Sequence, residues 1–138
     1  MNTGEAVNYM KELFTEYWCK ELKYYCIYQN ILGQTPIDNQ PFAKFDLMHT
    51  YLDRASFNGM NKTKYRQKGF IYIQVFVPIN TGMDNAYELA QAILNIYRRP
   101  PSDCQINFND FRMKESDLRY KDFYKVTLSV GFDYDYHF

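Results

Sequence analysis

The sequence predicts an α+β domain: a mostly antiparallel sheet with a long central hairpin, packed against two main helices. Three observations predict it. From Phe70 to Val77, Ile71, Ile73, Val75 and Val77 alternate with Phe70, Tyr72, Gln74 and Phe76. From Tyr124 to Tyr136, seven apolar or aromatic residues alternate with Lys125, Thr127, Ser129, Gly131, Asp133 and Asp135. Between and before these runs lie two stretches with helical rather than two-residue periodicity.

The first of these runs from about Thr3 to Lys20. Val7, Met10, Phe14, Tyr17 and Trp18 make one stripe with Leu13 beside it, and Lys11, Glu12, Glu16 and Lys20 occupy the other side. Such an amphipathic helix packs its stripe onto a sheet. Thr3, with Ala6 three residues on, makes only a weak cap. A short strand is expected at Tyr24 to Tyr28. Asn30 to Phe42 (NILGQTPIDNQPF) holds Gly, Pro, Asn and Asp and reads as a loop. Phe45, Leu47, His49 and Tyr51 then alternate with Lys44, Asp46, Met48 and Thr50, as in a strand with one covered face.

Arg54 to Gln67 is polar, contains Gly59 and Asn61, and reads as a long hairpin loop joining two antiparallel strands. It is also basic: Arg54, Lys62, Lys64, Arg66 and the adjoining Lys68 have only Asp53 beside them in opposition. In the strand that follows, both faces are largely apolar, which predicts a central strand covered on both sides. The β-branched set should face the main core. Pro78 ends the strand because it lacks an N–H for the ladder. Thr81-Gly82 supplies a turn, and Asp84 stands where an N-cap or first-turn anion is favoured. Ala86, Leu89, Ala90, Ile93, Leu94 and Tyr97 form the apolar face of the second helix. Arg98 and Arg99 suit its negative end, and Pro100-Pro101 stops it. Cys104, Ile106 and Phe108 suggest another strand, Arg112 to Asp122 a polar connection, and Tyr124 to Tyr136 the closing strand. At 138 residues, with no linker, repeat or low-complexity run, 1–138 is expected to form one domain.

Composition narrows function. Sixteen basic and sixteen acidic residues balance, which argues against a dedicated nucleic-acid binder. The 14 Tyr and 11 Phe suit either extensive protein contact or ordinary sheet packing. Cys19, Cys26 and Cys104 are odd in number and contain no CxxC pair, so free thiols are expected rather than a disulfide framework or metal site. No apolar run approaches the roughly 18 residues of a membrane span. The start MNTGEAVNYMKE has no apolar signal region, so a soluble protein made in a cytoplasm is expected, without membrane contact.

Residues able to do chemistry are few. His49 falls on the apolar parity of its strand, where a hydrogen-bonded structural imidazole is the better reading than a general base. Asp133, Asp135 and His137 share a parity and could form a carboxylate–imidazole metal cluster, against the plainer reading of a solvated edge. There is no GxSxG, P-loop or HExxH. The expectation is a protein without catalytic residues, cofactor or metal; the competing reading is a small hydrolase or metal enzyme using these groups. The basic stretch from Arg54 to Lys68 could contact an acidic partner surface or DNA phosphates passing nearby. It carries no interleaved aromatics for stacking bases.

Several segments together resemble one family. Pro36, Asn39, Pro41 and Phe42 look like its Pro…Asn…Pro-Phe segment. Tyr65-Arg66, Gly69, Ile73-Gln74-Val75-Phe76-Val77-Pro78 and Thr81-Gly82 are similar to its central signature, which Ala86, Leu89, Ala90 and Ile93 continue. Val130-Gly131-Phe132-Asp133-Tyr134-Asp135 looks like its closing strand. The chain thus resembles the tail-terminator-like proteins of long-tailed bacteriophages, related in fold to the lambda-type tail terminator. It departs from them in having Lys44-Phe45 where a Trp is common, and residues 100–122 match nothing in the pattern. The resemblance implies a structural virion protein, assembled in the host bacterial cytoplasm. It would form a homo-hexameric ring on the head-proximal end of the tail tube, stop tube polymerisation and join the head. Its implied partners are its own copies, the tail tube protein and a head-completion or neck protein, with non-specific contact to DNA in transit. Another head–tail joining or tail-completion role is the neighbouring alternative. The residues expected at a subunit or tube interface are Arg54, Lys62, Lys64, Arg66 and Lys68 of the hairpin, and Tyr134, Tyr136 and Phe138 at the C-terminus.

Overall fold

In the computed structural model, residues 2–29, 33, 40–58, 62–79, 82–115 and 123–136 are described, with side chains at 51, 53–58 and 62–64 outside the described set. An α-helix, α1 (Thr3–Thr15), passes into a π-helical segment, Glu16–Glu21. Strands β1 (Tyr25–Tyr28), β2 (Phe42–Asn58) and β3 (Lys62–Pro78) follow. Helix α2 (Asp84–Arg98) leads to β4 (Ile106–Glu115) and β5 (Phe123–Tyr136). The five strands form one sheet in the order β1-β2-β3-β5-β4. Only β1 and β2 are parallel; every other neighbouring pair is antiparallel. The chain is therefore an α+β fold with two helices, a mostly antiparallel sheet and a long central hairpin.

The helices share one core with one face of the sheet. Ala6, Met10, Phe14 and Trp18, spaced four apart, are fully buried along α1 and its π-helical extension. The buried residues of α2 are Ala86, Leu89, Ala90, Ile93, Leu94 and Tyr97, the set its 3.6-residue period marks out. Facing them are Ala43, Phe45 and Leu47 of β2, Ile71, Ile73, Val75 and Val77 of β3, and Val126, Leu128, Val130, Phe132 and Tyr134 of β5. The Tyr97 hydroxyl donates to the Met10 carbonyl at 2.9 Å and ties α2 to α1. A fully buried aliphatic side chain of this kind contributes roughly 1.5–3 kcal/mol.

Among the described residues, no helix lies over the second face of β3. At one end Phe42, Phe76 and Phe123 bury one another, Phe42 and Phe76 stacked at 4.5 Å and Phe123 edge-on to Phe42 at 5.0 Å. Further along, Met48 is 59% exposed and Tyr72 36%. The expected cover on both sides is thus met by helices on one face and by a local aromatic cluster on part of the other.

Other expectations shift by a few residues for identifiable reasons. The cap of α1 is Asn2, not Thr3: its side-chain oxygen accepts the Glu5 N–H at 2.9 Å, and its amide donates to the Glu5 carboxylate. The helical stretch changes to π geometry after Thr15, where the Trp18 indole reaches the Tyr25 carbonyl at 2.9 Å and the Leu22 N–H bonds to Tyr17. Strand β1 starts at Tyr25 and β2 at Phe42. The expected loop 54–67 is mostly ladder, since β2 and β3 stay paired to Asn58↔Lys62. Likewise Arg112 to Glu115 belongs to β4, paired with β5. The turn before α2 uses Gly82 at φ +79°, a region that favours glycine, while Thr81 lies outside the described residues. Asp84 opens α2 as its first-turn anion, and the cap position is Met83, with no side-chain hydrogen bond.

Candidate functional site

The two segments singled out in the sequence, the basic hairpin and the C-terminal strand, meet in space. The pairing of β3 with β5 sets Arg66 opposite Asp135 and Lys68 opposite Asp133. Arg66 Nε lies 3.1 Å from Asp133 Oδ1, and an Arg66 terminal nitrogen 3.8 Å from Asp135. The Nε–H does not point at the carboxylate, so the first contact is a charge pair rather than a hydrogen bond. Asp133 also accepts from the Asn107 and Asn109 amides, each at 3.1 Å. The part of the basic stretch nearest the sheet is therefore balanced by acids of β5. Arg54, Lys62 and Lys64 stand on the strands of the hairpin, and their side chains lie outside the described set.

Beyond Tyr65, which pairs with Tyr136, the last described residue of β5, β2 and β3 continue as a paired ribbon through Ser56↔Lys64 to Asn58↔Lys62. At ~3.3 Å per residue this arm reaches roughly 10 Å past the five-stranded sheet.

Of the C-terminal aromatics expected at an interface, Tyr134 does not face outward. It is fully buried within the chain, because its parity is that of Val130 and Phe132 in the core. Its hydroxyl lies 3.0 Å from His49 Nε2. Tyr136 is half-buried against the same core, and Phe138 lies outside the described residues.

His49 sits at the rim of the helix-covered face, edge-on to Phe132 at 5.4 Å. Burial pulls its pKa below the ordinary 6.5 and pushes the Tyr134 phenol up, so the pair is neutral around pH 7. A bulge in β2 between His49 and Tyr51 lies beside Gly69, where a Cβ would collide with the Met48 carbonyl oxygen. The Phe132 ring covers this glycine from the neighbouring strand, so nothing larger fits.

The sulfur and carboxylate groups do not converge. Burial pushes the Cys26 thiol up to about 12, which keeps it protonated. Cys19 and Cys104 are also free. Among the described residues, no three His, Cys, Asp or Glu are placed to hold one metal ion; His137, the third member of the cluster considered in the sequence, lies outside them. A recess of about 220 Å³ opens between α1 and the outer strands, lined by Val7, Lys11, Tyr28, Gln29, Phe45 and Leu47. Its polar groups are engaged: the Lys11 ammonium stands 4.5 Å above the Tyr28 ring, and the Gln29 amide oxygen accepts the Leu47 N–H at 3.0 Å.

The face of the sheet away from the helices, expected to be covered, is in part exposed at Met48 and Tyr72. Register places Phe70 and Tyr72 on it in the central strand, their ring centroids 6.1 Å apart. Met48 lies beside Phe70, and Asp46 and Ser129 flank Tyr72. Lys44 on β2, Lys125 on β5, and Arg112 and Lys114 on β4 stand around them, with Asp110 paired to Arg112 at 2.9 Å. The arrangement offers surfaces for binding: a two-stranded arm and an open aromatic face with cations at its margin.

No protein-family model matches the sequence, and no curated protein matches it. Among the solved structures to which the chain is similar, one matches at 14% identity and a TM-score of 0.58, with 93% of this chain and 94% of that chain covered. At that identity the likeness shows the fold alone, over nearly the whole length.

Proposed function

We propose that this protein is a structural component of a long-tailed phage particle, a tail terminator. Six copies would close into a ring on the head-proximal end of the tail tube, stop its polymerisation and form the joint to the head. The observation that carries this reading is the β2–β3 arm. A two-stranded ribbon is marginal by itself in water. An arm running past the end of β5 gains stability when it lies against another subunit or the tube. Closing a ring requires a heterologous contact, one patch meeting a different patch on the next copy, and a projecting arm is suited to that geometry. The sequence resemblance to tail-terminator-like proteins, spread in order along most of the chain, supports the same reading.

On this reading the arm residues Arg54, Lys62 and Lys64 contact the neighbour or the tube, while Arg66 and Lys68 anchor its base against β5. The test is native mass by light scattering over a concentration series, with negative-stain images of the protein alone and mixed with tail tubes. Six-fold rings, or rings seated on tube ends, are expected. Particles that stay monomeric and leave tube ends bare overturn the reading. Neutralising Lys62, Lys64 and Arg66 together should weaken ring closure or docking, with only a small fall in the monomer's melting temperature from the lost pairing of Arg66 with β5.

A further inference from the structure

The uncovered face of the sheet combines two features that local sequence reading separates. Phe70 and Tyr72 occupy adjacent same-face positions on β3, and Tyr72 is 36% exposed. Across them, Lys44 and Lys114 stand on the same level of the sheet, three strand spacings apart, which is roughly 14 Å. Lys125 and Arg112 stand on the levels to either side. Against these four cations the face carries Asp46 beside Tyr72, Asp110 paired to Arg112, and Asp133 and Asp135 paired to Arg66. The formal charge of zero therefore sums unlike sides. The helices carry Glu5, Glu12, Glu16, Glu21, Asp84 and Glu88 against Lys11, Lys20 and Arg98.

We propose that this open face binds single-stranded DNA, with Phe70 and Tyr72 stacking bases and Lys44, Lys114, Lys125 and Arg112 taking the phosphates. Aromatic rings on the central strands of a sheet, with cations at the margin, hold unpaired bases because every base has a face to stack and every link a charge to pair. A duplex hides its base faces and offers only the charges. A second copy laid face to face would set this cation group against itself, so like-charge repulsion disfavours that occupant. Stacking and phosphate pairing are open to RNA as well; only Asp46 and Ser129, beside Tyr72, could favour it by meeting a 2′-hydroxyl, and the oligouridylate arm reads that preference. The proposal does not rest on ring formation, and either can fail alone.

Fluorescence anisotropy with a labelled oligothymidylate at low salt tests it, beside a duplex of equal length and an oligouridylate. The oligothymidylate is expected to bind tightest. Tyr72→Ala should weaken it roughly 10-fold or more, as loss of one stacked base does. Lys114→Gln with Lys125→Gln should reduce the slope of log affinity against log salt by roughly 1.4. Tyr72 is exposed, so its variant should melt as wild type; Met48→Glu, at a more exposed neighbour, supplies a second test by setting a negative charge beside the rings. The proposal is overturned if wild type shows no binding at low salt, or binds duplex equally well. It also falls if the oligouridylate is preferred, or if both Tyr72→Ala and Met48→Glu bind as wild type.

Discussion

One strand carries two unlike surfaces. On β3, Ile71, Ile73, Val75 and Val77 have no exposed area and are held between the sheet and two helices. The alternate residues Phe70, Tyr72 and Gln74 lie on the open face, and towards the strand's end Phe76, packed by Phe42 and Phe123, and Pro78 are buried. The β-branched side makes the fold, and the aromatic and polar side is left for contact. Hydrophobicity by itself does not separate them, because Phe and Tyr are as apolar in a sequence window as Ile and Val. What separates them is which parity the helices cover.

The largest test of that contrast is a charge on either side of the strand. Val75→Asp should yield no folded protein, since an unpaired carboxylate at a fully buried site costs several kcal/mol against a total stability of about 5–15 kcal/mol. Gln74→Asp, one residue away on the open face, should fold with nearly wild-type circular dichroism and melting. A folded Val75→Asp protein would break the assignment of faces.

Next comes Phe76→Ala, which should lower stability by about 3 kcal/mol in urea denaturation, because this ring is buried in the small cluster although no helix covers it. A loss below ~1 kcal/mol would show the cluster to be surface decoration. Smaller again is Tyr97→Phe, which removes the bond to the Met10 carbonyl that fastens the two helices together. About 1 kcal/mol is expected in the same assay, with the near-ultraviolet spectrum otherwise retained.

The smallest effect concerns the rim of the covered face and is read against pH. The folded-state pKa of His49 lies below its unfolded value near 6.5, because burial disfavours the imidazolium. Between those two values the unfolded chain binds the extra proton, so stability falls as pH drops through that window and is regained above about 6.5. His49→Phe should flatten this dependence in melts between pH 7 and pH 5. An unchanged profile would assign the titration to another group.

Much of the fold could be read in advance where a periodic pattern faced a continuous core. Helix α2 shows this, as the six positions of its expected apolar face are its six buried ones. Strand β5 shows it too, from Val126 to Tyr134. The arm was read as loop because polarity on both faces removes the alternation that marks a strand; only its pairing to Asn58↔Lys62 makes it one. The π-helical turn at Glu16–Glu21 was not legible, since it is coupled to a contact seven residues away, between the Trp18 indole and the Tyr25 carbonyl. The Asn2 cap was legible from the acid three residues on, but the neighbouring Thr3 drew the reading away. The open face could not be found by scanning the chain, because Lys44, Tyr72, Arg112 and Lys125 come from four strands and become neighbours only through register. Tyr134 was misplaced for the complementary reason: it was grouped with the chain end rather than with the parity of its strand.

The strand order has a consequence for the chain during its synthesis. Strand β5 is made after every other described element, yet it stands between β3 and β4 and carries five core residues. Until it leaves the ribosome, β3 has one unpaired edge, and its aliphatic face cannot close with both helices over a complete sheet. The contacts that finish the core span 87 residues for Tyr97 with Met10 and 85 for His49 with Tyr134. Such distant pairings slow folding and prolong the time in which an open edge can recruit another nascent chain. A message cut short before residue 123 would therefore yield a product prone to clump rather than a smaller working domain.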